Sequence, residues 1–259
     1  MAACVPPARR LPAVLPEVSG LAYLPDGRLL ALNDGGHPGQ VYALDLDAGT
    51  ADAFGPLLTN VDWEALGHDP LAGWIIVCDV GDNARARGSV TVYPLDRRGH
   101  PSEARQLAYP DGPHDCEACL LRADTLTLIT KARTLGGERE RVAYVYQTVL
   151  GEGLGLALVD SFTLRRRSVT DAVYLTADTL AVLAYDFRIL GILPFAKTSL
   201  YVGTLGDFRQ NRQRRRRVRA PFTLTQYEAL AYPGRGREVL LASERTVIWP
   251  QRWRRVRLP

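Results

Sequence analysis

Apolar positions in this chain fall in short runs, and the runs come in pairs separated by a turn. The first run of each pair opens with one polar, one small and one apolar residue: Ser19-Gly20-Leu21, Glu64-Ala65-Leu66, Glu117-Ala118-Cys119, Asp171-Ala172-Val173 and Glu228-Ala229-Leu230. The second runs are Leu29 to Leu32, Trp74 to Val77, Leu126 to Ile129, Leu180 to Leu183 and Glu238 to Leu241. The polar positions recur at intervals of 45, 53, 54 and 57 residues, a spacing that fits propeller blades with loop insertions. Asp-Gly, Pro-Gly and Gly-Gly steps between the runs read as antiparallel hairpins. Helical periodicity is nowhere sustained, which removes a mixed α/β reading.

Further runs complete four strands per unit. The pattern therefore predicts an all-β chain, a five-bladed β-propeller with four-stranded antiparallel blades, as a single domain over 17–259. Residues 1–16 read as an N-terminal tail or closing strand. Either that tail or Trp253 to Leu258 is expected to supply the outermost strand of the last blade. In the fourth unit Pro194 is expected to make the segment Gly191 to Phe195 irregular, and the arginine run from Arg212 to Arg219 is expected in a solvated loop or on an outer strand edge kept from pairing by charge.

Composition narrows the class without changing the fold. The 259 residues are 46% hydrophobic and 23% charged, in the range of folded globular chains. No apolar run reaches the length of a membrane span. The formal charge of +4 comes almost wholly from arginine, and a mild excess spread along the chain does not favour nucleic acid. Four cysteines are too few for a disulfide framework in a domain of this size. Cys116 and Cys119 have a C-x-x-C spacing, but on a strand residues three apart face opposite ways, so the pair reads as two small buried residues. The start Met1-Ala2-Ala3-Cys4 shows no signal peptide, yet resembles the end of a bacterial lipoprotein signal. An extracytoplasmic location (periplasmic, secreted or lipid-anchored) is expected on that ground, with the cytoplasm left open.

The repeat register carries the chemistry. In a propeller the first strand of each blade lines the axis, so Ser19, Glu64, Glu117, Asp171 and Glu228 are expected to converge at the mouth of the central channel. Like charges held that close repel strongly, and something must compensate. Protonation of some acids, inward-reaching arginines and a bound cation are the available answers. Oxygen donors without His or Cys are the ligand set of Ca²⁺ rather than Zn²⁺, so these five residues form the candidate metal set. Capping of backbone amides around the ring is the local alternative. Glu17, Asp62 and Asp115, two positions earlier, enlarge the acidic funnel. Loops on the same mouth offer Asp82, Asn83, Lys131, Arg133, Arg188 and Arg245 to an anionic substrate, or to one another. Glu64 and His114 are the candidate catalytic pair. His37 also falls on the mouth side, whereas His68 and His100 are expected on the surface of the opposite face. No G-x-S-x-G elbow, P-loop or G-x-G-x-x-G is present.

The series Ser19, Asp62-Trp63-Glu64, Glu117, a polar residue at 171 and Tyr227-Glu228-Ala229 resembles the soluble calcium-activated nucleotidases of the apyrase family. That resemblance implies a five-bladed propeller holding one Ca²⁺ in its channel through serine and glutamate at these positions, and hydrolysis of nucleoside di- and triphosphates. Asp171 stands where that family places a serine, and the chain is short for its substrate-binding insertions. The blades are also similar to uncharacterised bacterial secreted propellers with D-W-E-A and G-D-x-G-D-N motifs, the second matched by Cys78-Asp79-Val80-Gly81-Asp82-Asn83. Three functions follow as expectations: a Ca²⁺-dependent hydrolase of phosphoanhydrides or phosphoesters, a non-catalytic binding or scaffold module with a structural ion, and a lactonase- or esterase-like propeller. The expected partner is a small anionic substrate or a protein, and the expected state is a monomer.

Overall fold

The computed structural model describes residues 8–69, 73–131, 133–134, 141–151, 155–190, 193–218, 225–247 and 249–259, except for the side chains of 133, 134, 141, 187–190 and 193–195. It is a β-propeller of five antiparallel blades. A short strand β1 (Arg9–Arg10) precedes blade one, which holds β2 (Val18–Tyr23), β3 (Leu29–Asn33), β4 (Gly39–Asp45) and β5 (Thr50–Leu58). Blade two holds β6 (Trp63–His68), β7 (Ile75–Asp79), β8 (Val90–Leu95) and β9 (Arg105–Leu107). Blade three is built from β10 (Cys116–Arg122), β11 (Thr125–Thr130), β13 (Arg141–Val149) and β14 (Ala157–Thr163), with the short β12 (Arg133–Thr134) beside β13. Blade four contains β15 (Ser168–Tyr174), β16 (Thr179–Leu190) and β17 (Leu193–Thr204); after the single-turn helix α1 (Leu205–Arg209) its outer strand is β18 (Arg214–Arg217). Blade five contains β19 (Tyr227–Ala231), β20 (Glu238–Ser243) and β21 (Arg252–Arg257), and β1 closes it by pairing with β21.

One segment differs from the sequence reading, and two alternatives it left open are decided. The segment around Pro194 continues a long hairpin, with Ile189 opposite Pro194 and Leu190 opposite Leu193. The arginine run is a paired outer strand: Arg214 to Arg217 lie opposite Val202 to Ser199. Trp253 belongs to the third strand of blade five, and ahead of that strand the Thr246 amide donates to the Trp249 carbonyl. The fourth strand there is β1.

The apolar core is divided into five wedges, one at each blade junction. Period-two alternation explains the division. In β3, Leu29 and Ala31 pack toward blade five while Leu30 and Leu32 pack toward blade two. In β16, Leu180, Val182 and Ala184 face blade three, and Ala181 and Leu183 face blade five. Both faces of these middle strands are buried, so they read as unbroken apolar runs rather than alternating ones.

The first strands β2, β6, β10, β15 and β19 touch in a closed ring around the axis. Each carries a β-bulge near its start, between Val18 and Gly20, Trp63 and Ala65, Cys116 and Ala118, Val169 and Asp171, and Tyr227 and Ala229. The bulged residues are therefore Ser19, Glu64, Glu117, Thr170 and Glu228. The small residue after each bulge abuts the next blade: a Cβ on Gly20 would lie 2.8 Å from the Leu66 amide nitrogen.

The bulge also revises the cysteines. It turns Cys116 and Cys119 to the same junction, that of blades two and three. Cys119 is joined by a disulfide to Cys78 of β7, and Cys116 remains a buried free thiol. Burial pushes that thiol well above its usual range, which makes it inert.

Candidate metal centre

The bulge register corrects the fourth repeat. The residue equivalent to Ser19 is Thr170, not Asp171, and the two hydroxyls are used alike. Ser19 Oγ donates to the Trp63 carbonyl at 3.0 Å, and Thr170 Oγ1 donates to the Tyr227 carbonyl at 3.2 Å, each reaching the next blade. Asp171 occupies the small-residue position. Its carboxylate faces the junction with blade five, where Oδ2 accepts from the Leu230 amide at 2.6 Å and Oδ1 from the Ala172 amide at 2.7 Å. Leu230 N is the counterpart of the Leu66 N that crowds Gly20, so an acid here ties together two inner strands.

The acids gather on one side of the channel mouth. Oxygens of Asp34, Asp62 and Glu64 lie within 4.8 Å of one another, and so do those of Glu64, Asp115 and Glu117. Glu64 is shared by both groups. It and Glu117 come from the bulges of β6 and β10, Asp62 and Asp115 from the residues that lead into those strands, and Asp34 from the loop that follows β3. Thus Glu64 and Glu117 of the sequence-derived metal set meet, joined by Asp62 and Asp115, which the spacing assigned to the funnel, and by Asp34. Glu228 neighbours Glu244 instead, and burial together with the Glu244 charge pushes its carboxyl well above the usual range.

The G-D-x-G-D-N-like stretch holds this side of the mouth in place. Asp79, fully buried, accepts from the amides of Val61 and Asp62 at 3.0 Å and pairs with Arg87 at 2.8 Å. Asp82 caps the amides of Ala86 and Arg87, and its own amide donates to Asp115 Oδ1 at 3.0 Å. Gly81 has no side chain where one would collide: its Cβ would lie 2.5 Å from Asp62 Oδ2 and 2.6 Å from Glu64 Oε1. The glycine leaves room for two carboxylates to turn toward the axis.

Electrostatics follow from this crowding. Burial, then Glu117 and Asp34, push the Glu64 carboxyl well above the usual range. Burial pushes Glu117 up to about 7 against the pull of Lys131. Asp34 is pushed up to about 6 by burial, with Asp62 and Glu17 adding to it against the bond from the Gly35 amide. Glu244 rises to about 7, from burial first and then from Asp34 and Glu17. Burial pulls the Lys131 ammonium down, but its ion pair with Glu117 and the charges of Asp115 and Glu64 more than offset that and hold it well above its ordinary value. Lys131 Nζ also lies 4.0 Å from Asp115. Among the described residues Lys131, with Arg87 acting on Asp62, faces five carboxylates, and the rest of the charge is left to protons or to a cation.

The remaining candidates sit apart from this group. His114 is buried, with its ring among Tyr109, Tyr144 and Tyr146, and its Nε2 lies 2.8 Å from Tyr146 Oη and 3.1 Å from Asp111. It faces the blade two and three junction while its neighbour Asp115 faces the mouth. His37 stands at the mouth, 2.9 Å from Glu17. His68 is half-buried rather than on the surface, and burial pulls its imidazole down to about 4. It lines a mainly apolar cavity of about 330 Å³ at the opposite end of the channel, with Leu21, Leu66 and Tyr174. The Arg245 side chain is exposed and its amide donates to Pro16. The carboxylate of Asp82 is taken up by its loop, next to Asn83. The side chains of Arg133 and Arg188 lie outside the described residues.

No family model matches the chain, and no curated protein does. Among solved structures, the chain is similar to one from Thermus thermophilus provisionally described as an oxidoreductase (glucose dehydrogenase), with 11% identity, a TM-score of 0.51 and coverage of 96% of this chain and 99% of that one. A chain from the mitotic checkpoint complex aligns over 98% of this chain and 92% of its own, at 11% identity and a TM-score of 0.46. At such identity the likeness concerns the propeller fold alone.

Proposed function

We propose that the protein is a Ca²⁺-binding propeller whose ion is held at the channel mouth by Glu64 and Glu117 with Asp62, Asp115 and Asp34. The observation that carries this reading is the pair of carboxylate groups sharing Glu64 beside a glycine that keeps them unobstructed. The donors are all oxygen, which suits a hard divalent cation. Ser19, Thr170 and Glu228, at the other bulges, complete the ring of oxygen-bearing residues around the axis. Thr170 in place of Asp171 also restores a hydroxyl where the resemblance to the calcium-activated nucleotidases expects serine, which supports the ion more directly than it supports nucleotide hydrolysis.

Bound there, the ion would act as a Lewis acid toward a phosphoryl or carbonyl oxygen. The chain's own contribution would be Lys131, an ammonium within reach of an anion at the mouth, and Glu64, a carboxyl that burial keeps ready to carry a proton. The disulfide between Cys78 and Cys119 supports an oxidising, extracytoplasmic compartment.

Calorimetric titration of the metal-stripped protein with Ca²⁺ tests the site, and the expected result is one saturable site per chain. Glu64→Gln should weaken it by at least ~10-fold, since one charged oxygen ligand is lost. A panel of nucleotide, phosphoester and lactone substrates, run with Ca²⁺ and with EDTA, then separates the roles. Turnover that needs Ca²⁺ marks an enzyme, and thermal stabilisation by Ca²⁺ without turnover marks an ion that only holds the ring. Absence of any Ca²⁺ effect on heat or on melting removes the reading.

A further inference from the structure

Away from the axis, a groove of about 540 Å³ opens between blades three and four, where the turn from β14 to β15 approaches β18. Arg165, Arg167 and Arg215 line it together with Tyr201, Asn211 and Gln213, and no carboxylate is among its lining residues. The neighbouring arginines are already paired: Arg209 with Asp160 at 2.6 Å and Arg212 with Asp207 at 3.7 Å. The three in the groove have no acidic partner among the described residues. Arg167 Nε is a buried donor with no hydrogen-bond partner, whereas the unpartnered Gln213 Oε1 is an acceptor and no ligand for an anion. Buried donors are nearly always satisfied, so an exception calls for an explanation.

Backbone conformation marks the same place. Four non-glycine residues adopt positive φ among the described residues, and two of them, Arg165 (φ 57°) and Asn211 (φ 55°), line this groove. Local turns set both: the Arg167 amide donates to the Leu164 carbonyl around Arg165, and Asn211, just past the C-cap Gln210 of α1, donates to the Phe208 carbonyl, so two tight turns shape the groove wall. Register supplies the rest. Arg215 lies opposite Tyr201, whose ring packs into the junction with blade three, and Arg217, two residues on, shares that face of β18. Guanidinium groups that line one groove offer forked N–H donors, which match the geometry of tetrahedral oxyanions.

We infer that this groove is a binding site for a phosphoryl or sulfuryl group, held by Arg167 and Arg215 with Arg165 at the rim. The group can come from a free anion or from an anionic lipid headgroup, and the exposed arginines of β18 would meet the rest of a larger ligand.

The test is calorimetric titration with inorganic pyrophosphate at low ionic strength in EDTA, so that no metal at the axis can recruit the probe. The wild-type chain should give a saturable isotherm that weakens with added salt. Arg215→Gln should weaken binding by about five-fold and the double variant Arg167→Gln/Arg215→Gln by at least about ten-fold, as expected when bidentate donors are removed. Arg98→Gln, an exposed arginine elsewhere, should bind as the wild type does. Because Arg215 is exposed on an edge strand, its single variant keeps the test readable even where the double variant unfolds. Absence of saturable binding, or equal weakening by Arg98→Gln and Arg215→Gln, overturns the inference. Sedimentation with phosphatidylglycerol vesicles, set against phosphatidylcholine vesicles, identifies the source. Sedimentation lost in Arg215→Gln assigns a headgroup, and pyrophosphate binding without sedimentation assigns a free anion; either result supports the site.

Discussion

The carboxylate of Asp171 binds two backbone amides, one in its own strand and one across the blade junction at Leu230. Asp171→Ala removes the acceptor of both amides, a loss of about 1–3 kcal/mol for each that stays buried and unpaired. Chemical denaturation should show that loss, while Ca²⁺ affinity measured by calorimetry should stay within about two-fold, because a residue outside the coordinating group contributes no ligand. A loss of Ca²⁺ binding with stability intact would put Asp171 back among the ligands. The sequence points to Asp171 because a template of residue types cannot see a bulge. At Val169-Thr170-Asp171-Ala172 two polar residues stand in a row, and only the pairing of Asp171 with Leu183 decides which one is extruded. Glu64 and Glu117 were legible because alanine follows each of them without ambiguity.

Gly81 has its effect through the loop it belongs to. Between Asp79 and Asp82, which fasten the chain to residues 61–62 and 86–87, it is the one position that turns past the acids at contact distance. Gly81→Ala should therefore lower Ca²⁺ affinity by about ten-fold or more, by moving the Asp62 and Glu64 oxygens apart, whereas a surface Gly→Ala change is near neutral. Calorimetry on Gly81→Ala beside Gly112→Ala, where a Cβ would meet nothing within 4 Å, checks this. Gly112 has positive φ, so that control bears backbone strain but no contact with the acids. The disulfide between β7 and β10 closes a loop spanning 41 residues, and its reduction should cost about 2–4 kcal/mol. Denaturation with and without reductant, repeated on Cys78→Ala/Cys119→Ala as a control with no disulfide to reduce, measures that cost. The disulfide was not legible in the sequence, and the arginine run of β18 could be read only as a loop or an outer strand edge. The bulge brings Cys119 into the junction with Cys78, and an outer strand with little burial carries no apolar pattern to announce it. The middle strands were legible because both of their faces are buried.

At the scale of the whole ring, the acids couple stability to pH. Glu117 and Glu244, at about 7 in the folded chain against an ordinary 4.5, hold protons that the unfolded chain has released across that window. The folded state then binds more protons than the unfolded one, so stability falls as pH rises from about 4.5 to 7 and levels off above. In the absence of divalent cations the Tm at pH 5.5 should exceed the Tm at pH 8 by several degrees, and saturating Ca²⁺ should close the gap by raising the pH 8 value. Calorimetric scans across that range decide it, and a Tm that rises with pH in EDTA would contradict the charge arrangement. The five-fold architecture was legible from the repeat, but its closure was not, since a strand of two arginines has no periodicity to read. That closure imposes an order on assembly during synthesis. Residues 9–15 are synthesised before blade one, whereas the strand they dock against, Arg252–Arg257, follows the other strands of blade five. Until blade five emerges, β1 lacks its pairing partner and the flank of blade one that carries Leu29 and Ala31 stays uncovered, so the growing chain presents an adhesive open edge while blades two to four are made.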